Sequence, residues 1–182
     1  LGDLEQYFSE FALIKNRVLV EINWLIFMSR TKSLIFVPTL SKNKETSLLK
    51  IIDEFSLKDA EQIKKIEAKT NHDVKAVEIF IGKKLESLNL KKYSEFVHLF
   101  CTSEDINNLS YNLMLKGYLD NEFKEINSLL LKDLKSKSKK WSKLSMLSFT
   151  HGQTASPTTL GKEIANFHER IKYHLNLLKS LN

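Results

Sequence analysis

Apolar side chains recur along most of the chain at helical spacing. Residues 4–29 and 160–178 carry apolar positions every three or four residues, which predicts two long helices. Shorter stretches with the same spacing predict helices at residues 46–55, 57–69 and 74–88, and Ser56 with Asp59 resembles a capping box that would open the second of these. No segment alternates apolar and polar residues convincingly, so no strand is predicted. The pattern therefore predicts an all-α fold.

The second half of the chain has longer helical segments than the first. The pattern predicts a helix from about residue 105 to Leu144, with Gly117 as the place where it would break. The narrow apolar stripe of residues 160–178 is typical of the seam of a long-helix bundle. We therefore predict a helical N-terminal domain over residues 1–100 and the first part of a central bundle domain over residues 101–182.

Composition agrees with long helices and few turns. The 182 residues include only five glycines and two prolines, the residues that build tight turns. A single cysteine, Cys101, cannot form an internal disulfide, which favours a reducing, cytoplasmic location. No run of about 18 apolar residues predicts a membrane span. The chain starts at Leu1 and stops at Asn182 inside an amphipathic pattern, so we expect a fragment.

Three polar clusters interrupt the helical pattern, and each adjoins a predicted helix start. There the free backbone N–H groups and the helix dipole attract anions, and a net charge of +6 also suits an anionic partner. Two clusters contain a histidine, whose ordinary pKa lies near neutral pH. The clusters are Thr70-Asn71-His72-Asp73, Thr102-Ser103-Glu104-Asp105 and Thr150-His151-Gly152-Gln153.

A simpler interpretation exists for each cluster taken alone. Ser, Thr, Asn and Asp at helix starts commonly act as N-caps, and Asn71 or Asp73 would cap the helix that follows. His98, His168 and His174 lie within helical pattern and are expected to be structural. The sequence lacks the glycine pattern of a dinucleotide or phosphate loop and has no zinc-binding spacing, so no cofactor or metal is predicted.

Read together and in order, the clusters resemble the adenylosuccinate lyase family. Residues 70–78, Thr-Asn-His-Asp-Val-Lys-Ala-Val-Glu, resemble the segment before its bundle helices. Residues 98–108 resemble its first signature region, and residues 150–153 resemble the second signature of the wider fumarase/aspartase superfamily. These strings are most similar to the bacterial type of the enzyme.

The resemblance implies an enzyme that eliminates fumarate from adenylosuccinate, giving AMP, and from the succinyl-carboxamide ribonucleotide (SAICAR), giving AICAR. It implies a homotetramer whose active sites are shared between subunits, with no cofactor and with neither nucleic acid nor membrane as a partner. His151 is then the general acid. The implied substrate-binding residues are Asn71, His72, Asp73, Thr102, Ser103 and Gln153.

Departures from the family pattern bear on activity. Thr154 stands where the family has proline, at a position interpreted as a turn. The family's arginine–tyrosine pair and its loop with the serine base are absent from the 182 residues, so we expect this chain alone to be inactive. Two alternatives stay open: another fumarate-releasing lyase of the superfamily, and a basic helical module that binds nucleic acid.

Overall fold

The computed structural model describes residues 2–180, which form two compact units that divide between Tyr118 and Leu119. Leu1 and Asn182, on which the expectation of a fragment rests, lie outside the described residues. Within residues 2–180 the chain has eight α-helices, so the predicted all-α class is confirmed. The predicted division at residue 100 refers to the domains of a longer protein and stays a prediction.

The first unit is built around one buried helix, α2. Val18, Ile22 and Leu25 of this helix are fully buried, and the other helices of the unit pack against it. The unit contains α1 (Gly2–Phe8), α2 (Glu10–Arg30), α3 (Lys42–Asp53), α4 (Leu57–Thr70), α5 (Asp73–Ser87), a 3₁₀-helix (Lys91–Phe96) and α6 (Ser103–Tyr118).

The single helix predicted at residues 4–29 is in fact two helices. Ser9 separates them: its backbone is extended and its Oγ accepts the N–H of Ala12 at 3.1 Å, which caps α2. A serine between two stretches of helical apolar spacing leaves that spacing almost unchanged, so periodicity alone did not reveal the break.

The predicted capping box at the start of α4 is present. The backbone N–H and the hydroxyl of Ser56 donate to Asp59 Oδ2 at 3.0 and 2.7 Å. Lys84 of α5 also contacts Asp59, with 2.8 Å between Nζ and Oδ1. Asp59 therefore both caps α4 and joins it to α5.

The cap of α5 differs from the prediction. His72, rather than Asn71 or Asp73, is the N-cap: its Nδ1 accepts the N–H of Lys75 at 3.1 Å. Asn71 instead ends α4 in a left-handed conformation with φ of 51°, and its N–H donates to Glu67 O at 2.8 Å. Asparagine tolerates that conformation better than most residues, which explains why the chain turns here.

The second unit pairs two long helices with short strands between them. It contains a π-helical turn (Leu119–Phe123), α7 (Lys124–Lys140), β1 (Ser145–Met146), β2 (Phe149–Thr150), β3 (Gln153–Thr154), β4 (Thr158–Thr159) and α8 (Leu160–Lys179). The regular α-helix predicted over residues 105–144 is thus interrupted just after Gly117 and ends at Lys140.

The four strands correct the expectation that no strand would occur. β1 pairs antiparallel with β4, and β2 with β3. Each strand has two residues, too few for an alternating pattern to appear in the sequence. Their pairing satisfies backbone groups of the segment between α7 and α8.

Gly161 allows α8 to begin against the end of α7. A Cβ added at this position would lie 2.3 Å from the carbonyl oxygen of Ser138 and 2.6 Å from Cα of Ser142. The N–H of Gly161 donates to Trp141 O at 3.0 Å, so the two backbones touch directly. In the part of the chain that the structure describes, no helix is both long and apolar enough to cross a membrane.

Candidate functional site

Arg17 of α2 joins the first polar cluster to α6, the helix that begins within the second cluster. Its Nη2 donates to Asp73 Oδ2 at 2.6 Å and its Nε donates to Asn107 Oδ1 at 2.9 Å. Asp73 opens α5 and Asn107 lies in the first turns of α6. The guanidinium is buried, with 7% of the side chain exposed, so both helix starts are held to one point on α2.

The same junction has a small apolar core. Val20 of α2, Val74 of α5 and Ile106 of α6 are buried against one another, with Cys101 packed beside them. The hydrogen bonds of Arg17 and this apolar contact both join α2 to the first turns of α5 and α6. The N-terminal ends of α5 and α6 are therefore positioned together, which is the arrangement that the first two clusters need to share a ligand.

Asp73 is ionised within this arrangement. Burial by itself raises the pKa of Asp73, but the N–H of Val74, at 2.8 Å from Oδ1, and the charge of Arg17 hold that pKa below its ordinary value of 3.8. The carboxylate accepts hydrogen bonds from Arg17 and from the N–H of Val74, while 43% of the side chain is exposed. Its contacts with the protein therefore orient it without removing it from solvent.

The remaining predicted residues of the first two clusters are accessible. Asn71 and His72 are exposed, and Asn71 and Asp73 line a surface groove of about 500 Å³ together with Lys64, Glu67 and Ala68. Thr102 is exposed and Ser103, the first residue of α6, is half-buried. Asp105 Oδ2 accepts the N–H of Thr102 at 2.7 Å and so orders this turn.

A second buried pair lies one helical turn further along α2. Glu21 is fully buried, and its Oε1 is 2.6 Å from Nδ1 of His98. Burial raises the pKa of Glu21, while the neighbouring His98 opposes that rise. Burial also raises the pKa of the Cys101 thiol to about 11, with further contributions from the negative charges of Glu21 and Asp105.

Arg17 and Glu21 were not predicted as site residues from the sequence. Both are charged residues at buried positions of α2, spaced four apart so that they share one face. Charged side chains are almost never fully buried without a partner. Two charges inside an otherwise apolar helical stripe were the available signal, although the sequence does not identify Asp73, Asn107 and His98 as their partners.

The third cluster forms a hairpin turn in the second unit. His151 and Gly152 lie between β2 and β3 with φ values of 51° and 74°, the positive values that a type I′ turn requires at both central residues. The cluster therefore lies in a hairpin that precedes the helix and not in the first turn of the helix itself, while α8 begins at Leu160, as its apolar spacing predicts. His151 and Gln153 are exposed.

Thr154 is also corrected by the hairpin. It lies in β3 opposite Phe149 and is not a turn residue, because the turn consists of His151 and Gly152. Among the side chains that the structure describes, those of residues 4–180, no group of three or more histidine, cysteine, aspartate or glutamate residues is arranged to hold a metal ion.

Comparison with known proteins identifies the family. Residues 6–182 match the sequence model of a family described as Lyase. The chain belongs to the lyase family. Proteins named adenylosuccinate lyase are similar to this lyase-family chain in sequence: 41% identity over 98% of the chain for the one from Buchnera aphidicola (Acyrthosiphon pisum), and 43% over 97% for the one from Haemophilus influenzae.

The chain spans about 39% of the length of these curated relatives. The adenylosuccinate lyase of Escherichia coli K12 is 42% identical over 93% of the chain and 37% of its own length. The resemblance predicted from the three clusters is therefore confirmed at the level of sequence. The roles of the individual site residues stay predictions.

Solved structures with the same fold have much lower sequence identity. A muconate lactonizing enzyme from Pseudomonas putida covers the whole lyase-family chain with a TM-score of 0.76 at 17% identity, over 40% of its own length. A fumarate lyase from Mesorhizobium covers 98% of it with a TM-score of 0.76 at 15% identity, over 39% of its own length. These structures show a fumarase/aspartase-like fold, as predicted.

Proposed function

We propose that the complete protein to which this chain belongs is an adenylosuccinate lyase, which splits adenylosuccinate into AMP and fumarate. The observation that carries the proposal is 41–43% identity, over nearly the whole chain, to bacterial proteins of that name. The joining of two predicted binding clusters by Arg17 supports it independently. We extend the proposal to the cleavage of SAICAR to AICAR, the second reaction that the resemblance implies.

The elimination needs a base, an acid and a set of hydrogen-bond donors. A base removes a proton from the carbon next to a carboxylate, and donors must then stabilise the negative charge that develops. We assign one of the succinyl carboxylates to Thr102 and Ser103, because a helix N-terminus with hydroxyl groups binds anions. The serine that would act as base belongs to a signature that this chain does not contain.

The departing purine nitrogen must receive a proton. We assign this step to His151, because it is exposed at a tight hairpin turn and histidine is the side chain that most often transfers protons in enzymes. Gln153, opposite Thr150 across the hairpin, is proposed as an additional donor to the substrate. Asn71, His72 and Asp73 are proposed to contact the nucleotide half of the substrate.

We propose that the protein is a cytoplasmic homotetramer with active sites shared between subunits. Exposed apolar side chains along the longer helices support burial against other copies, because large apolar patches on soluble proteins mark contact surfaces. These side chains include Leu109 and Leu113 of α6, Ile126 and Leu129 of α7, and Phe167 and Leu177 of α8. We expect the 182-residue chain alone to be inactive, since the serine loop is missing from it.

The activity test uses the complete purified protein and four substrates. Adenylosuccinate, argininosuccinate, malate and aspartate are supplied separately, and fumarate release is followed by its ultraviolet absorbance. We expect rapid release from adenylosuccinate alone. Release from one of the other three substrates instead would assign the protein to a different activity of the superfamily, and release from none would refute the proposal.

The role of His151 is tested in the same assay. His151→Ala should lower turnover about 10²–10⁴-fold, the usual contribution of a general acid, with little effect on folding because the side chain is exposed. The matched control is His174→Ala, which removes another exposed histidine of the same unit and should leave turnover within about twofold. Near-normal turnover by His151→Ala would remove His151 from the mechanism.

A further inference from the structure

The segment between the 3₁₀-helix and α6 holds an unfavourable backbone conformation. His98 and Phe100 have φ values of 64° and 65°, in the left-handed region that residues with a side chain avoid. The turn hydrogen bonds of this segment are long: Leu99 N to Phe96 O is 3.3 Å and Cys101 N to His98 O is 3.2 Å. Such a conformation persists only when the surrounding structure holds it.

Helix α2 supplies that support. The indole Nε1 of Trp24 donates to Leu99 O at 2.8 Å, and Glu21 Oε1 lies 2.6 Å from Nδ1 of His98. Glu21 and Trp24 are three residues apart on α2 and therefore point to the same side. Glu21 and Trp24 of one helix thus contact two consecutive residues of the strained segment, His98 and Leu99.

Glu21 makes this contact from an environment that is costly for a carboxyl group. Its side chain is fully buried, and among the described atoms its Oε2 has no hydrogen-bond partner. Burial raises the pKa of Glu21, and the nearby charge of Glu78 on α5 raises it further, while His98 opposes both. A buried carboxyl with one unsatisfied oxygen is destabilising, so the contact with His98 must offset part of that cost.

Thr102 is the last residue of this segment, and Ser103 directly follows it as the first residue of α6. A rotation of the backbone at His98 or Phe100 changes the path of the chain into the first turn of α6, because only Cys101 and Thr102 lie between Phe100 and Ser103. We propose that Glu21 is a positioning residue: through His98 it holds the segment before α6 and so sets where Thr102 and Ser103 meet a substrate carboxylate. This inference rests on the proposed function.

Product inhibition separates the two halves of the substrate. Fumarate carries the carboxylates and AMP carries the nucleotide, so each product reports one half of the proposed site. In the complete protein, Glu21→Ala should weaken inhibition by fumarate about tenfold and raise KM for adenylosuccinate by a similar factor, with inhibition by AMP changed less than about twofold. An equal loss for both products would show a general structural defect and overturn the positioning role.

Two further variants test how Glu21 acts. Glu21→Gln keeps the length and a hydrogen-bonding group toward His98, so it should retain most of the fumarate inhibition. Phe100→Gly removes the steric penalty of the left-handed conformation, so adding it to Glu21→Ala should recover part of the loss. If Glu21→Gln behaves like Glu21→Ala and Phe100→Gly recovers nothing, the backbone-holding role is wrong.

A control variant and the activity of the parent protein distinguish failure of this inference from failure of the proposed function. Glu10→Ala removes an exposed glutamate of the same helix, paired with Lys64, and should change neither product's inhibition. Circular dichroism establishes that each variant is folded before inhibition is measured. A parent protein that does not cleave adenylosuccinate refutes the proposed function, whereas an active parent with unchanged fumarate inhibition in Glu21→Ala refutes only the role of Glu21.

Discussion

Replacing Arg17 with methionine should lower the free energy of unfolding of the first unit by about 2 kcal/mol. Methionine keeps an unbranched apolar side chain but lacks the guanidinium, so both hydrogen bonds to Asp73 and Asn107 are lost. Hydrogen bonds that involve a charged group contribute about 1.5–3 kcal/mol each. Two effects reduce the net loss. Because 43% of the Asp73 side chain is exposed, water replaces part of its lost interaction. The variant also no longer buries the charge of Arg17, and the desolvation cost that is avoided offsets a further part of the loss.

The two tryptophans make this measurable. Trp24 lies on α2 in the first unit and Trp141 follows α7 in the second, so a Trp141→Phe background leaves Trp24 as the only tryptophan. Urea unfolding followed by Trp24 fluorescence should show a midpoint lower by about 1 M for Arg17→Met, given a slope of about 2 kcal/mol per molar. The control Lys50→Met, at an exposed cation of α3, should change stability by less than about 0.5 kcal/mol.

A double-mutant cycle isolates the contact with Asp73. Asp73→Asn, Arg17→Met and the double variant should give a coupling free energy of about 1–2 kcal/mol, because the two side chains are in direct contact. A coupling near zero, or an Arg17→Met protein as stable as its parent, would refute the conclusion that Arg17 joins the two clusters energetically.

Three further predictions concern other contacts. Gly161→Ala should destabilise the second unit by about 1–3 kcal/mol in thermal or urea unfolding, because its Cβ would overlap the backbone of α7. The control Gly82→Ala, whose Cβ would come no nearer than 3.9 Å to Ser94, should stabilise α5 by up to about 1 kcal/mol. Cys101 should react with iodoacetamide about 100-fold more slowly than an ordinary cysteine at neutral pH, because its pKa rises from 9.0 to about 11; equal rates before and after unfolding would contradict this. Burial favours a raised pKa for Asp59, but Lys84 and Ser56 hold that pKa below 3.8. The ionised Asp59 therefore stabilises the fold above pH 3.8, and this contribution is lost as the pH falls through the lowered pKa. The difference in stability between the parent and Asp59→Asn should shrink over that range.

Local signals in the sequence were sufficient for most helices and for the positions of the polar clusters. The 3.6-residue spacing of apolar positions predicted the helices, and Ser56 with Asp59 predicted a cap that the structure contains. Both signals act between residues a few positions apart. The order of the clusters was also sufficient to predict the family, because it depends on residue identity and not on folding.

Only the tertiary structure decided which distant residues meet. Arg17 contacts Asp73 and Asn107, which lie 56 and 90 positions away, and Glu21 contacts His98 at a separation of 77. Likewise, His151 lies in a hairpin turn because the two-residue strands β2 and β3 pair on either side of it, although the spacing of apolar residues did not predict these strands. Spacing along one helix determines which face is buried, whereas the partner of a buried charge depends on how separate helices pack, and that packing is a property of the folded chain as a whole.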